Sequence, residues 1–132
     1  MKINPDTNIL VRAIVGDDER QSKTAQSALS RADVVTLTLP ALCELVWVMM
    51  RGYGFQAAEI GEAVRRLING DNVVVNRDAV EAGLSHLGAG GDFTDGVIAN
   101  EGRRLGAEQF VTFDRRAARL VERQGEAVRL LS

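Results

Sequence analysis

Cysteine is almost absent from this 132-residue chain, histidine and lysine are nearly so, and no apolar run approaches the length of a membrane span. Cys43 stands alone, which excludes an intramolecular disulfide and suits a reducing cytosol, the expected compartment. Within its apolar stretch it reads as a small core residue. His86 is the only histidine, in the Ser85-His86-Leu87 tail of a predicted helix, where it reads as surface or structural. That leaves no Ser-His-Asp or Cys-His nucleophilic machinery. Lysine stops at Lys23, so Gly88-Ala89-Gly90-Gly91 lacks the Gly-Lys-Ser/Thr ending of a phosphate-binding P-loop and reads as a flexible turn. No segment has the roughly 18 uncharged apolar residues of a membrane helix, and Met1-Lys2-Ile3-Asn4-Pro5-Asp6 contains no apolar stretch of signal-peptide length. With a formal charge of −2, the chain does not bind nucleic acid by bulk positive charge.

What is present is ordinary globular composition, 45% hydrophobic and 26% charged, in a length that suits one domain spanning residues 1–132. Beyond Lys2 and Lys23 every basic residue is arginine, with pairs at Arg65-Arg66, Arg103-Arg104 and Arg115-Arg116. Arginine suits forked contacts to phosphate, although a GC-rich coding sequence writes the same preference.

Strand-length apolar runs alternate with longer helical patterns, which predicts an α/β domain with a mainly parallel sheet. A short strand ends near Asp6, a helix carries Ile9, Leu10, Ala13 and Ile14, and a second helix spans about 19–31. Val34–Leu37 forms a strand, and Pro40 opens a helix that stops at Gly52-Tyr53-Gly54. The aromatics of Tyr53-Gly54-Phe55, beside Arg51, could stack on single-stranded bases but read first as a packed turn. Helices are then predicted over about 56–69, 78–87, 92–105 and 114–123, with strands at 73–75, 110–113 and 128–131.

One charge stands out. Glu44 lies in Ala41-Leu42-Cys43-Glu44-Leu45-Val46-Trp47-Val48-Met49-Met50, a run with no other charge that reads as buried helix. A carboxylate in such surroundings takes up a proton or finds a cation. Asp6, Asp95 and Asp114 each stand at a predicted helix opening, two of them just after a strand-like stretch. In open parallel sheets the functional crevice lies beyond the carboxyl ends of the strands. Taken singly, Asp6 and Asp114 read as helix caps, and Asp92-x-x-Asp95 as a cap plus a favourable first-turn charge. Taken together, the four acids and no matching basic residue read as a site for magnesium or manganese, since hard oxygen ligands without His or Cys disfavour zinc.

These residues form ordered motifs: Asp6-Thr7-Asn8-Ile9-Leu10-Val11-Arg12, Glu44-Leu45-Val46-Trp47, Asp92-Phe93-Thr94-Asp95-Gly96-Val97-Ile98-Ala99 and Thr112-Phe113-Asp114-Arg115. In that order and number, they make the chain resemble the PIN-domain ribonucleases, and among them the VapC toxins of bacterial toxin–antitoxin pairs. The resemblance implies a three-layer α/β/α sandwich around a central, mainly parallel sheet of about four to five strands. It also implies a catalytic tetrad of Asp6, Glu44, Asp95 and Asp114, with Asp92 as an additional metal-binding acid and Asn8 and Thr112 bracing the acids. The implied activity is Mg2+- or Mn2+-dependent endoribonuclease hydrolysis of RNA by metal-activated water, by a cytoplasmic homodimer with a cognate antitoxin partner. One departure from the family is Asn4-Pro5 before Asp6, where an apolar strand usually runs straight into the aspartate.

Two rival readings differ in class. A receiver-type signalling domain needs an Asp after a middle strand and a late Lys, but Val73-Val74-Val75 is followed by Asn76 and no lysine lies beyond Lys23. A catalytically inert PIN-like module that only binds RNA or protein is opposed by the full set of acids.

Overall fold

The computed structural model describes residues 1–132, which fall into two compact units, Met1–Asn76 and Arg77–Ser132. In the first unit β1 (Lys2–Ile3), β2 (Val34–Leu37) and β3 (Val73–Val75) form a parallel sheet in that order. Parallel neighbours need crossover connections, and helices supply them. Between β1 and β2 run α1 (Thr7–Val15) and α2 (Glu19–Arg31); between β2 and β3 run α3 (Leu39–Trp47), a π-helical turn (Val48–Gly52) and α4 (Ala57–Ile68). The second unit comprises α5 (Arg77–Gly88), α6 (Phe93–Arg104), β4 (Phe110–Thr112), α7 (Arg115–Arg123) and β5 (Val128–Leu130), with β4 and β5 paired in parallel. The α/β class and the parallel strands are as expected, with five strands in hydrogen-bonded ladders of three and two.

β1 is short because Pro5, which has no N–H for a ladder, lies just beyond it and is buried instead. Gly16 adopts a left-handed φ of 73° and stops α1, after which the Asp18 side chain accepts the Gln21 N–H at 3.0 Å to start α2. At the start of α4 the Glu59 carboxylate accepts the Gln56 N–H at 3.0 Å. The Asn72 amide donates to the carbonyls of Leu29 and Ala32 at 2.8 and 2.9 Å, fastening the end of α2 to the start of β3. Leu10, Val35, Leu42, Leu45, Ile60, Val64 and Ile68 form the core of this unit. The Tyr53 hydroxyl donates to Asp17 at 2.8 Å and its ring stacks on Phe55, so that segment is a packed turn.

In the second unit the core is Val80, Leu84, Leu87, Phe93, Val97, Leu120 and Val121. Here α5 and α6 approach so closely that only glycine fits at their crossing. A Cβ on Gly96 would lie 2.5 Å from the Ala82 carbonyl oxygen, and one on Gly83 would lie 2.8 Å from the Phe93 ring. Backbone oxygens do not move aside as side-chain ends do, so this contact fixes how α6, and Asp95 next to Gly96, sits against α5.

Candidate active site

In the first unit Asp6 follows β1 and caps α1: its Oδ1 accepts the Ile9 N–H at 3.0 Å while the side chain stays exposed. Asn8 lies in the first turn of the same helix, also exposed. Glu44 overturns its expectation. The side of α3 facing the core carries Leu42, Leu45 and Val46, with Met49 continuing it, whereas Glu44 is exposed on the other side beside Cys43, half-buried, and Trp47, 63% exposed. An i, i+3, i+4, i+7 stripe is one helix face, and Glu44 falls outside it. Its carboxylate is therefore solvated, and the argument from desolvation does not apply to it.

The second unit gathers more. Asp92 precedes α6 without a capping hydrogen bond, and Asp95 lies half-buried in that helix's first turn. Burial raises the Asp95 carboxyl above the usual carboxylate range, the charge of Asp92 raises it further, His86 pulls the other way, and Asp114 adds a last upward push. Asp114 follows β4 and caps α7 through a single oxygen, Oδ1, which accepts from Arg116 N at 2.8 Å and Ala117 N at 3.1 Å. Its own N–H donates to Thr112 Oγ1 at 3.0 Å, so the strand's last residue braces the cap.

His86 is fully buried, and neither ring nitrogen has a hydrogen-bond partner. This excludes the surface alternative. An unpaired polar group at such depth costs about 1–3 kcal/mol. The reason for its burial is the glycine turn, which the sequence did not tie to this histidine. Gly91 N donates to the His86 carbonyl at 2.8 Å, and a Cβ on Gly91 would lie 3.3 Å from the imidazole and 2.3 Å from the Leu120 side chain. The turn is folded down between α5 and α7 and delivers Asp92 to its place. Ala89, Gly90 and Gly91 all donate their N–H groups back to carbonyls of α5, so the turn offers no free donors to a phosphate.

Asp92, Asp95 and Asp114 thus share one electrostatic neighbourhood, the most burdened carboxylate among them having two like charges near it. Such a donor set, all oxygen and mutually repelling, fits a hard divalent cation. In neither unit is a group of three or more His, Cys, Asp or Glu side chains drawn together closely enough to hold a metal as it stands.

The sequence model of the PIN domain family matches residues 3–123. No curated protein matches the chain. No helix is long and apolar enough to cross a membrane.

Proposed function

Since the chain belongs to the PIN domain family, a fold that generally serves metal-dependent nucleases, we propose that it is a Mg2+- or Mn2+-dependent endoribonuclease and the toxin of a VapC-type toxin–antitoxin pair. One observation carries the reading: Asp95, half-buried, is pressed by the charges of Asp92 and Asp114. An arrangement that disfavours its own ionised form is suited to a cation that would relieve it.

In this reading Asp6, Asp95 and Asp114 hold the cation, Asp92 adds a further carboxylate, and Thr112 and Asn8 keep the acids in place. The bound cation would acidify water and offset the negative charge developing on the attacked phosphate. Glu44, open to solvent, orients the attacking water or reaches the cation through one. Water adds to phosphorus, the bond to the 3′-oxygen breaks, and that oxygen leaves as a hydroxyl. The products carry 5′-phosphate and 3′-hydroxyl ends, because the ribose 2′-hydroxyl takes no part. A homodimer and a co-encoded antitoxin that covers the acids complete the proposal.

The test is RNA cleavage by wild type and Asp95→Asn, with magnesium and with EDTA. Wild type with magnesium is expected to cut, and the variant to be slower by about a hundredfold or more, the scale of losing one electrostatic contact in a transition state. Products ending in 2′,3′-cyclic phosphate, or cleavage unaffected by EDTA, would refute the mechanism. For the toxin role, expression alone is expected to arrest growth and co-expression with the neighbouring gene to restore it.

A further inference from the structure

The nine residues of α7, Arg-Arg-Ala-Ala-Arg-Leu-Val-Glu-Arg, divide into a buried apolar side and an exposed charged side. Ala117, Ala118, Leu120 and Val121 are buried. At about 100° per residue, Arg115, Arg116, Arg119 and Arg123 fall within an arc of roughly 100° on the opposite side, and all four are exposed. None of them lies within ion-pair distance of a carboxylate, whereas Arg103 of α6 pairs with Glu126 and Arg104 with Asp78. The same unit therefore neutralises one arginine pair internally and leaves four arginines on a single face without an ion pair, the exposed Glu122 being the one acid among them.

The stripe begins at the acidic neighbourhood, since Asp114 is the cap of this very helix. Arg116 lies there. Its guanidinium lies across the turn that leads to Asp92, so near that a Cβ on Gly90 would sit 2.6 Å from Nη2, and Gly90 takes a φ of 89°. A guanidinium packed against the acid-bearing turn without pairing to any of those acids keeps its forked donors for something else. Along the axis the stripe runs about 12 Å, enough for several consecutive backbone phosphates. In a chain whose formal charge is −2, a local cationic strip is what a polyanion would need in order to be drawn to the acids.

We infer that the outward face of α7 is the track for the substrate's backbone, Arg115, Arg116, Arg119 and Arg123 contacting phosphates that flank the one attacked beside Asp92, Asp95 and Asp114. This assignment rests on the nuclease reading above and adds to it where the RNA lies.

The experiment is fluorescence anisotropy of a labelled single-stranded RNA in EDTA, which stops cleavage, over a range of salt concentrations. R115Q/R116Q/R119Q is compared with wild type and with R20Q/K23Q/R31Q, which removes the same charge from α2. The α7 variant is expected to lose about tenfold or more in affinity at low salt, and its log–log salt slope to fall by about 2, at roughly 0.7 per phosphate contact on a single strand. The α2 variant should stay near wild type. A matching R115K/R116K/R119K protein is expected to recover most of the slope. The inference is overturned by an unchanged slope in the α7 variant, by an equal loss in the α2 variant, or by wild type showing no salt-dependent binding. Unaltered RNA affinity with loss of binding to polyglutamate would reassign the face to an acidic protein segment and also overturn it. Metal-dependent cleavage with no role for α7 would leave the nuclease reading intact, and α7-dependent binding without cleavage would do the reverse.

Discussion

The candidate acids of the two units live under different electrostatic conditions. In the first, Asp6 is an exposed cap and Glu44 projects from the outer side of α3 into water; neither strains the fold that carries it. In the second, Asp95 is half-buried and faces two like charges, one of them on the residue that leads into its own helix. Isolated exposed carboxylates are cheap to keep and say little about function. Crowded ones work against folding unless something offsets them, and for that reason the proposed cation site is centred on the second unit.

The largest expected difference between the units is mechanical. Gly96→Ala sets a methyl against a backbone oxygen at the α5–α6 crossing and is expected to lower stability by about 2 kcal/mol or more. Gly61→Ala in α4 meets only the flexible end of Arg65 at 3.4 Å and is expected to be neutral or to gain about 0.5–1 kcal/mol, since alanine is the better helix former. Urea denaturation of both variants checks the pair, and similar midpoints would show that the crossing is not tight. Next come the caps. Asp114→Ala gives up two amide acceptances and Asp6→Ala one, for expected losses of about 1–2 and 0.5–1 kcal/mol. Both Asp114→Asn and Asp114→Ala remove a charge from near Asp95, but only Asn keeps a capping oxygen, so it should be the more stable of the two; an Asn variant as weak as the Ala one would contradict the cap.

The smallest effect has a definite sign. Because Asp95 titrates higher in the folded chain than its ordinary 3.8, the stability it contributes is complete below that pH and is lost as pH rises through the folded value. Asp95→Asn in EDTA should therefore melt higher than wild type at neutral pH, and the gap should close near pH 4. Adding magnesium at neutral pH is expected to raise the melting temperature of wild type more than that of the variant. Equal shifts in both would detach the metal from Asp95.

Much of this arrangement was legible in the sequence. The strand and helix runs, Pro40 at a helix start and the aspartates after β1 and β4 are set by local periodicity and capping chemistry. Glu44 reads as buried in the sequence for a physical reason: in a run where nearly every residue is apolar, periodicity does not reveal which side faces the core, and Trp47 is exposed along with its charged neighbour. His86 was hidden because its burial depends on a glycine turn folding back over it from outside its own helix. The glycine crossing had a visible trace, since Gly83 and Gly96 each sit inside a helix where glycine is costly, but which helices meet there is a tertiary fact.

In the sequence Asp114 reads as either a cap or a ligand, and its two oxygens leave room for both. Oδ1 serves both amides at the head of α7, while Oδ2 has no hydrogen bond within the protein. A visiting ion could come and go on the second oxygen without unwinding the helix secured by the first, so turnover and architecture would draw on separate atoms of a single side chain.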